Sequence, residues 1–173
     1  MKREVVILGV GNLLLRDEGI GIHAIQELQA HYAFEENVCL IDGGTGGLGL
    51  LPAIQGAEHL IVLDAVQADR PPGSIFQFAL ADILCETSPQ LSPHELDLPG
   101  VLKLAEALCQ APASVVFFGV QPQEVSYGLE LTPSVQAAMP VLVQRVLGEL
   151  DRLRIGWRRL VEEEKCPMLS PER

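Results

Sequence analysis

Residues 5–21 read VVILGVGNLLLRDEGIG, and this stretch decides the fold. Its apolar start ends at glycines, which predicts a buried strand of a parallel sheet over residues 4–9. A glycine-containing turn follows, and the apolar spacing of residues 20–32 predicts a helix. This strand–turn–helix order commonly binds phosphate through free N–H groups at the helix start. Here Asp17 and Glu18 lie at that point, which is unfavourable for an anion and favours a cation.

The composition favours a single globular domain. The chain has 173 residues, of which 48% are hydrophobic, enough for one α/β core. Its net charge of −11 argues against a nucleic-acid partner, which needs a basic surface. No apolar run reaches the ~18 residues that span a bilayer, and the N-terminus lacks the features of a signal peptide. We therefore expect a cytoplasmic protein with no membrane partner.

The remaining sequence alternates between strand and helix signals. Residues 74–78 follow a turn-rich connection too short for a crossover, so we expect them to pair antiparallel, as a hairpin at the sheet edge. Pro140 lies inside the last helical pattern and should kink that helix or delay its start. The predicted strands are residues 38–41, 60–63, 74–78 and 115–120, and the predicted helices are residues 48–55, 98–109 and 132–154.

These elements predict a three-layer α/β/α sandwich. Its centre is a mostly parallel sheet of about five strands with one antiparallel edge strand. Residues 1–155 form a single α/β domain in this interpretation. Residues 156–173 form a polar C-terminal tail that frays.

Acidic residues follow or end three of the predicted strands. Asp17 and Glu18 follow the first strand, Asp42 ends the second, and Asp64 ends the third. The carboxyl ends of parallel strands meet at one edge, where open α/β sheets bind their ligands. The helix that follows His94 would begin at the same edge. The topology therefore predicts that these four carboxylates and this imidazole lie near one another.

Such a group of side chains suits a divalent cation. Neighbouring carboxylates repel one another and raise one another's pKa values, and a cation relieves that repulsion. Carboxylate oxygens and an imidazole nitrogen suit nickel, zinc or similar ions. Each residue also has an ordinary structural interpretation: Asp42 as a turn residue, Asp64 as a strand-end acid, and His94 as a surface histidine. The joint placement at one edge favours the metal site.

The same residues resemble a known family. Six segments occur in order between residues 5 and 147, and together they resemble the hydrogenase maturation endopeptidases, which trim the large-subunit precursor of nickel–iron hydrogenases. A single GxGN or DGGT segment is a weak signal, whereas the series with its DEG and SPH elements is specific. The segments are GVGNLLLRDEGIG, IDGGTGGLGLLPAI, HLIVLDAV, LSPHELDL, VVFFGVQPQE and LTPSVQAAMP.

The resemblance implies a function and a site. Glu18, Asp64 and His94 would bind nickel supplied by the substrate, for which another divalent ion could substitute. The enzyme would be an endopeptidase that removes the C-terminal extension from the nickel-loaded large-subunit precursor, and we expect it to act as a monomer. Of the two acids in the opening stretch, Glu18 is the expected ligand. Asp17 is expected to be a helix-start acid or a neighbour of the ligand.

The residue that activates water is less defined by the sequence. No Ser–His–Asp set or HExxH helix stands out, so metal-assisted hydrolysis is the simplest route. The ion could instead serve only to position the peptide. Asp42 is the candidate for activating or orienting water. Gly43, Gly44 and Thr45 are the candidate substrate-binding turn, because glycines let a peptide backbone approach closely.

Two other functions stay open on the sequence alone. A non-catalytic nickel-dependent docking or chaperone protein for the same precursor would use the same three ligands. A Rossmann-type nucleotide-binding protein is suggested by Gly9 and Gly11 after a strand and by Asp42 as a ribose-binding acid. The last glycine of that fingerprint is Leu14 here, and the acids that follow would repel phosphates.

Overall fold

The structure is a computed structural model that describes residues 4–79, 90–91 and 98–161. The strands are β1 (Val5–Val10), β2 (Tyr32–Phe34), β3 (Val38–Gly44), β4 (His59–Gln67), β5 (Ile75–Ala79), β6 (Gln90–Leu91), β7 (Ser114–Val120) and β8 (Trp157–Arg159). The helices are α1 (Ile20–His31), α2 (Leu51–Ile54), α3 (Leu98–Ala107) and α4 (Pro133–Arg152). Two 3-10 turns, Arg16–Gly19 and Gly47–Leu50, precede α1 and α2.

The main sheet has the order β3–β1–β4–β7–β5. The pairs β1/β3, β1/β4 and β4/β7 are parallel, whereas β5 runs antiparallel to β7 at one edge. The short β6 pairs antiparallel with the end of β4. Helices cover both faces, so the predicted α/β/α sandwich with a mostly parallel sheet and one antiparallel edge strand is confirmed.

Apolar side chains alternate along the strands and form one core on each face of the sheet. On β1, Val5 and Ile7 face the core shared with α1 and α4, whereas Val6 and Leu8 face the core shared with α2 and α3. All six residues of β1 are buried, because helical layers cover both of its faces. The carboxyl ends of β1 and β4 therefore emerge between the two helical layers.

The edge strand β5 does not form the expected hairpin. Its partner is β7, in a register from Ile75 opposite Val120 to Ala79 opposite Val116, rather than the preceding strand β4. β7 lies between them because its apolar residues are largely buried and suit an interior strand. β5 is only partly buried, which suits the edge of the sheet.

Asp42 and Asp64 lie inside their strands rather than at the strand ends. β3 continues past Asp42 to Gly44, and β4 continues past Asp64 to Gln67. β4 extends past Asp64 because it pairs with two strands that come later in the chain. β7 pairs with it as far as Ala65, and β6 pairs with its last two residues.

The chain does not fray between residues 156 and 161 as expected. β8 pairs antiparallel with β2, and the Trp157 ring meets the Tyr32 ring edge-on with centroids 5.7 Å apart. The Trp157 indole N–H also donates a hydrogen bond of 2.8 Å to the Asp151 carboxylate. The fold therefore includes residues 156–161, and the rest of the predicted tail lies outside the described residues.

α4 begins at Pro133 and runs past Pro140 to Arg152. The predicted delay of its start is therefore wrong. Pro140 is exposed and removes only the hydrogen bond that the carbonyl of the exposed Gln136 would accept, which solvent can replace. Neither α4 nor any other described helix is long and apolar enough to cross a membrane.

Candidate functional site

Glycines bring the turn that contains Glu18 directly against the sheet. Gly11 has a φ of +133°, and a Cβ there would overlap the carbonyl oxygen of Glu18. A Cβ at Gly21 would overlap the carbonyl oxygens of Leu63 and Val10. Because glycine has no Cβ, the 3-10 turn and the start of α1 lie on the ends of β1 and β4. The glycines of the opening stretch thus determine where Glu18 is placed.

Glu18 and Asp64 are buried carboxylates at this edge. Their side chains are only 2% and 3% exposed. The 3-10 turn that contains Glu18 contacts β4, the strand that contains Asp64. One Asp64 oxygen accepts a hydrogen bond of 2.7 Å from the N–H of Ala65. Acidic side chains are rarely buried this deeply, so two of them near the carboxyl edge of the sheet mark this edge as a candidate site.

His94, the third predicted ligand, lies outside the described residues. Leu98, four positions later, is buried in the same core as Val62. Strand alternation places Asp64 on that face as well, so α3 begins on the face of the sheet to which Asp64 belongs. Within residues 4–79, 90–91 and 98–161, no group of three His, Cys, Asp or Glu side chains could hold a metal ion. The described part of the edge therefore offers two carboxylate donors.

Asp17 is completely buried and has a different set of contacts. Its Oδ2 accepts hydrogen bonds from the backbone N–H groups of Gln123 at 2.9 Å and Glu124 at 3.0 Å. The backbone N–H of Thr132 donates to Oδ1 at 2.7 Å, and its hydroxyl donates to Oδ2 at 2.8 Å. Asp17 is thus not a helix-start acid for α1, because its partners lie in the loop after β7.

Asp42 is exposed and lies apart from the two buried acids. Strand alternation places it on the face of Leu40, toward the α1 core, whereas Asp64 shares the face of Val62. β1 lies between β3 and β4, so the two backbones are about 10 Å apart. The Asp42 Oδ1 accepts a hydrogen bond of 3.0 Å from the N–H of Gly44, as a turn residue does. The structure does not bring Asp42 together with Asp64, and its catalytic role stays a prediction.

The predicted substrate-binding turn has a packed part and an open part. A Cβ at Gly43 would lie 2.8 Å from Leu8 Cδ1 and 3.1 Å from the carbonyl oxygen of Gly9, so a larger residue here would displace its packed neighbours. At Gly44, with a φ of +50°, the nearest atom of the described residues beyond its chain neighbours to such a Cβ is Asp42 Oδ1, at 3.9 Å. Thr45 is exposed. Gly44 and Thr45 are therefore the part of the turn that a peptide could approach.

The loop after β7 is the part of the site that sequence reasoning missed. The N–H of Arg16 donates to the carbonyl of Gly128 at 2.9 Å, and the N–H of Gly128 donates to the carbonyl of Leu14 at 3.0 Å. Thr132 is the one residue that could have drawn attention to this loop, because threonine is a typical helix cap. Its hydroxyl makes no capping bond to α4 and binds Asp17 instead.

The fold and this edge define a class: an α/β/α protein with buried acids near the carboxyl edge of its central sheet. The hydrogenase maturation protease family (HycI) matches residues 22–149. The hydrogenase expression/formation protein HoxM of Cupriavidus necator is 39% identical over 145 residues, covering 82% of this chain and 71% of HoxM. The hydrogenase 2 maturation protease of Escherichia coli is 32% identical over 147 residues, covering 84% of this chain and 90% of that protein.

A solved structure agrees with these sequence matches. The hydrogenase maturating endopeptidase HybD from E. coli superposes with a TM-score of 0.83 at 30% identity, covering 90% of this chain and 97% of HybD. The chain belongs to the hydrogenase maturation protease family. The predicted resemblance and the assignment as an endopeptidase are confirmed. Membership of this family argues against the docking and nucleotide-binding alternatives.

Proposed function

We propose that this endopeptidase removes the C-terminal extension from the nickel-loaded large-subunit precursor of a nickel–iron hydrogenase. It recognises the substrate-bound nickel through Glu18, Asp64 and His94. The observation that supports this most strongly is the burial of Glu18 and Asp64 near the carboxyl edge of the sheet, in a member of the maturation protease family.

The donor set suits a nickel ion that arrives with the substrate. Two carboxylates provide hard oxygen donors and a histidine provides a borderline nitrogen donor, a combination that nickel accepts. Three protein donors leave coordination positions for the groups with which the precursor already holds its metal. A divalent ion at this edge would find oxygen donors in both buried carboxylates.

Binding through the metal also positions the peptide to be cleaved. A precursor held at its nickel has its C-terminal extension fixed relative to the sheet edge, and such positioning contributes to the rate. The substrate nickel could also polarise the scissile carbonyl group. The exposed turn at Gly44 and Thr45 is our candidate for contacting the extension. Asp42 is our candidate for activating or orienting the water.

A cleavage assay tests this function. Purified protein is incubated with the nickel-loaded precursor, and the product is weighed by mass spectrometry. We expect the precursor to lose its C-terminal extension with the wild-type protein. Glu18→Gln and His94→Ala should give no product, because each removes one nickel ligand.

Two control variants match these substitutions in residue type. Glu149→Gln alters a buried glutamate on α4, and His31→Ala alters a histidine at the end of α1. Both should cleave at the wild-type rate. Intact precursor after prolonged incubation with the wild-type protein would overturn the proposed function, and bound but uncleaved precursor would favour the docking alternative. Full activity of Glu18→Gln would remove Glu18 from the site.

A further inference from the structure

The 3-10 turn that contains Glu18 is short, and interactions within the turn do not stabilise it sufficiently. Arg16–Gly19 comprises four residues, and its N-terminal side has no side-chain capping bond. Arg16 adopts a φ of +49°, a left-handed conformation that costs energy for a residue other than glycine. The conformation of this turn therefore depends on contacts with the rest of the fold.

Asp17 supplies contacts of that kind. Four donors converge on its carboxylate at 2.7 to 3.0 Å, and they lie 106 to 115 positions away in the chain. Hydrogen bonds to a carboxylate are about twice as strong as those between neutral groups. Because the Asp17 side chain is 0% exposed, water does not compete for them. The residue next to Glu18 is thus tied firmly to the loop after β7.

Thr132 extends this connection to a long helix. Its carbonyl accepts the first hydrogen bond of α4, from the N–H of Gln136 at 2.8 Å. Its backbone N–H and its hydroxyl both donate to Asp17. α4 comprises 20 residues and packs against α1 and β7. The Asp17 carboxylate therefore links the turn to α4, in addition to the backbone hydrogen bond between Arg16 and Gly128.

Asp17 also adds a negative charge beside Glu18. In the part of the chain that the structure describes, its hydrogen-bond partners are N–H and O–H groups and include no Lys or Arg side chain. Such donors stabilise the carboxylate without neutralising it. Asp17 can therefore act on Glu18 by geometry and by charge, and substitutions at Thr132 and Asp17 separate the two effects.

We propose that Asp17 is a positioning residue for nickel recognition. It holds the backbone of Glu18 at the end of β4, so that the Glu18 carboxylate meets the metal in one orientation. This inference rests on the proposed function, in which Glu18 is a nickel ligand. Asp17 itself stays bonded to Gln123, Glu124 and Thr132 and does not bind the ion.

The test compares affinities for the nickel-loaded and the nickel-free precursor. Their ratio is the readout, because a loss of folded protein lowers both affinities equally. Thr132→Val removes the hydroxyl and keeps the shape and the backbone N–H, whereas Thr132→Ser keeps the hydroxyl. We expect Thr132→Val to lower the ratio by about tenfold or more, as loss of a partner that orients a metal ligand does. Thr132→Ser should keep the wild-type ratio.

Asp17→Asn should lower the ratio further. It removes the charge and turns an amide NH2 group toward N–H or O–H donors. If this variant does not fold, the pair Thr132→Val and Thr132→Ser decides the question. Val146→Ala is the control for stability, because Val146 is buried in α4 and lies outside the proposed site. It should lower the melting temperature and leave the ratio unchanged.

The outcomes distinguish this inference from the proposed function. If Glu18→Gln loses the preference for loaded precursor but Thr132→Val and any folded Asp17→Asn protein keep it, the positioning role is wrong and the proposed function stands. If the wild-type protein binds both precursors equally, the proposed function and the positioning role are both overturned. A lower ratio in Thr132→Val that Thr132→Ser does not share supports the positioning role.

Discussion

Two regions at the carboxyl edge of the sheet have similar sequences and different environments. The turn after β1 contains glycines and two acids, and the turn at the end of β3 contains glycines and one acid, Asp42. In the first, Glu18 is buried, and neighbouring backbone atoms occupy the space that a Cβ at Gly11 or Gly21 would need. In the second, Asp42 is exposed, and Gly44 and Thr45 face open space.

This difference indicates that the two turns have different functions at the edge. A buried carboxylate has one fixed environment and is suited to binding an ion of defined geometry. An exposed turn with a positive-φ glycine is suited to accepting a peptide backbone. We therefore expect substitutions in the first region to abolish recognition of nickel. Substitutions in the second region should alter cleavage more than recognition.

The largest effect is expected for Asp64→Asn. The amide keeps the shape of the side chain and removes the charge that a nickel ion requires, so cleavage of the loaded precursor should fall by about 100-fold or more. Asp69→Asn, in the exposed loop after β4, is the matched control and should cleave normally. Initial rates measured by mass spectrometry decide between them. Normal cleavage by Asp64→Asn would contradict a ligand role.

Asp42→Asn tests the second region. Its amide oxygen can still accept the hydrogen bond from Gly44, so the turn should persist. If Asp42 activates water, kcat should fall by about 100-fold, the lower range for loss of a general base, while the affinity for the precursor is unchanged. Single-turnover kinetics measure both quantities. An unchanged kcat would leave Asp42 with only its structural role.

Alanine at the glycines compares the packing of the two turns. Gly11→Ala should lower the free energy of unfolding by about 3 kcal/mol or more, because a Cβ meets the Glu18 carbonyl and φ is +133°. Gly44→Ala has open space, and its left-handed φ should cost only about 1 kcal/mol. Urea unfolding measures both values. Equal costs would contradict the distinction between a packed and an open turn.

The smallest effect is expected far from the edge, at Arg152. Its guanidinium donates to the Glu149 carboxylate at 2.7 and 2.9 Å, and this hydrogen bonding, with the attraction between the charges, raises the pKa of Arg152. A raised basic pKa adds stability at pH values below the unfolded-state pKa, and this is lost only as pH rises through the folded-state pKa. Both values lie far above neutral pH, so the contribution should be constant between about pH 5 and 9.

Arg152→Gln should therefore lower stability by at most about 0.5 kcal/mol, since Arg152 is largely exposed and salt screens the pair. Urea unfolding at two pH values and two salt concentrations measures this effect. A loss of stability that changes with pH in this range would contradict its assignment to the pair of Arg152 and Glu149. The variant should also keep the nickel preference of the wild-type protein.

The sequence predicted the architecture well because its signals are local. Apolar runs and helical spacing are properties of short segments, and the predicted element positions agree with the structure to within a few residues for β1, α1 and β7. The partner of β5 was predicted incorrectly, because β7 is inserted beside β4 from almost forty positions further along the chain. Pairing between distant segments has no local signal.

The site was predicted in part for the same reason. Asp17 and Glu18 are neighbours in the sequence, and only the loop around Thr132, more than a hundred positions away, shows that Asp17 is already fully bonded. Asp42 was grouped with Asp64 because both follow apolar runs. Their opposite faces depend on strand parity in the assembled sheet. Burial of Glu18 likewise depends on the close approach at Gly11.

The central claim is that Glu18, Asp64 and His94 bind one nickel ion. Anomalous diffraction at the nickel absorption edge, from crystals of this protein soaked in a nickel salt, tests it most directly. We predict one strong peak within about 2.0–2.2 Å of donor atoms from all three side chains. We also predict its loss in crystals of Glu18→Gln. A peak that contacts neither Glu18 nor Asp64, or one that persists unchanged in Glu18→Gln, would contradict the claim.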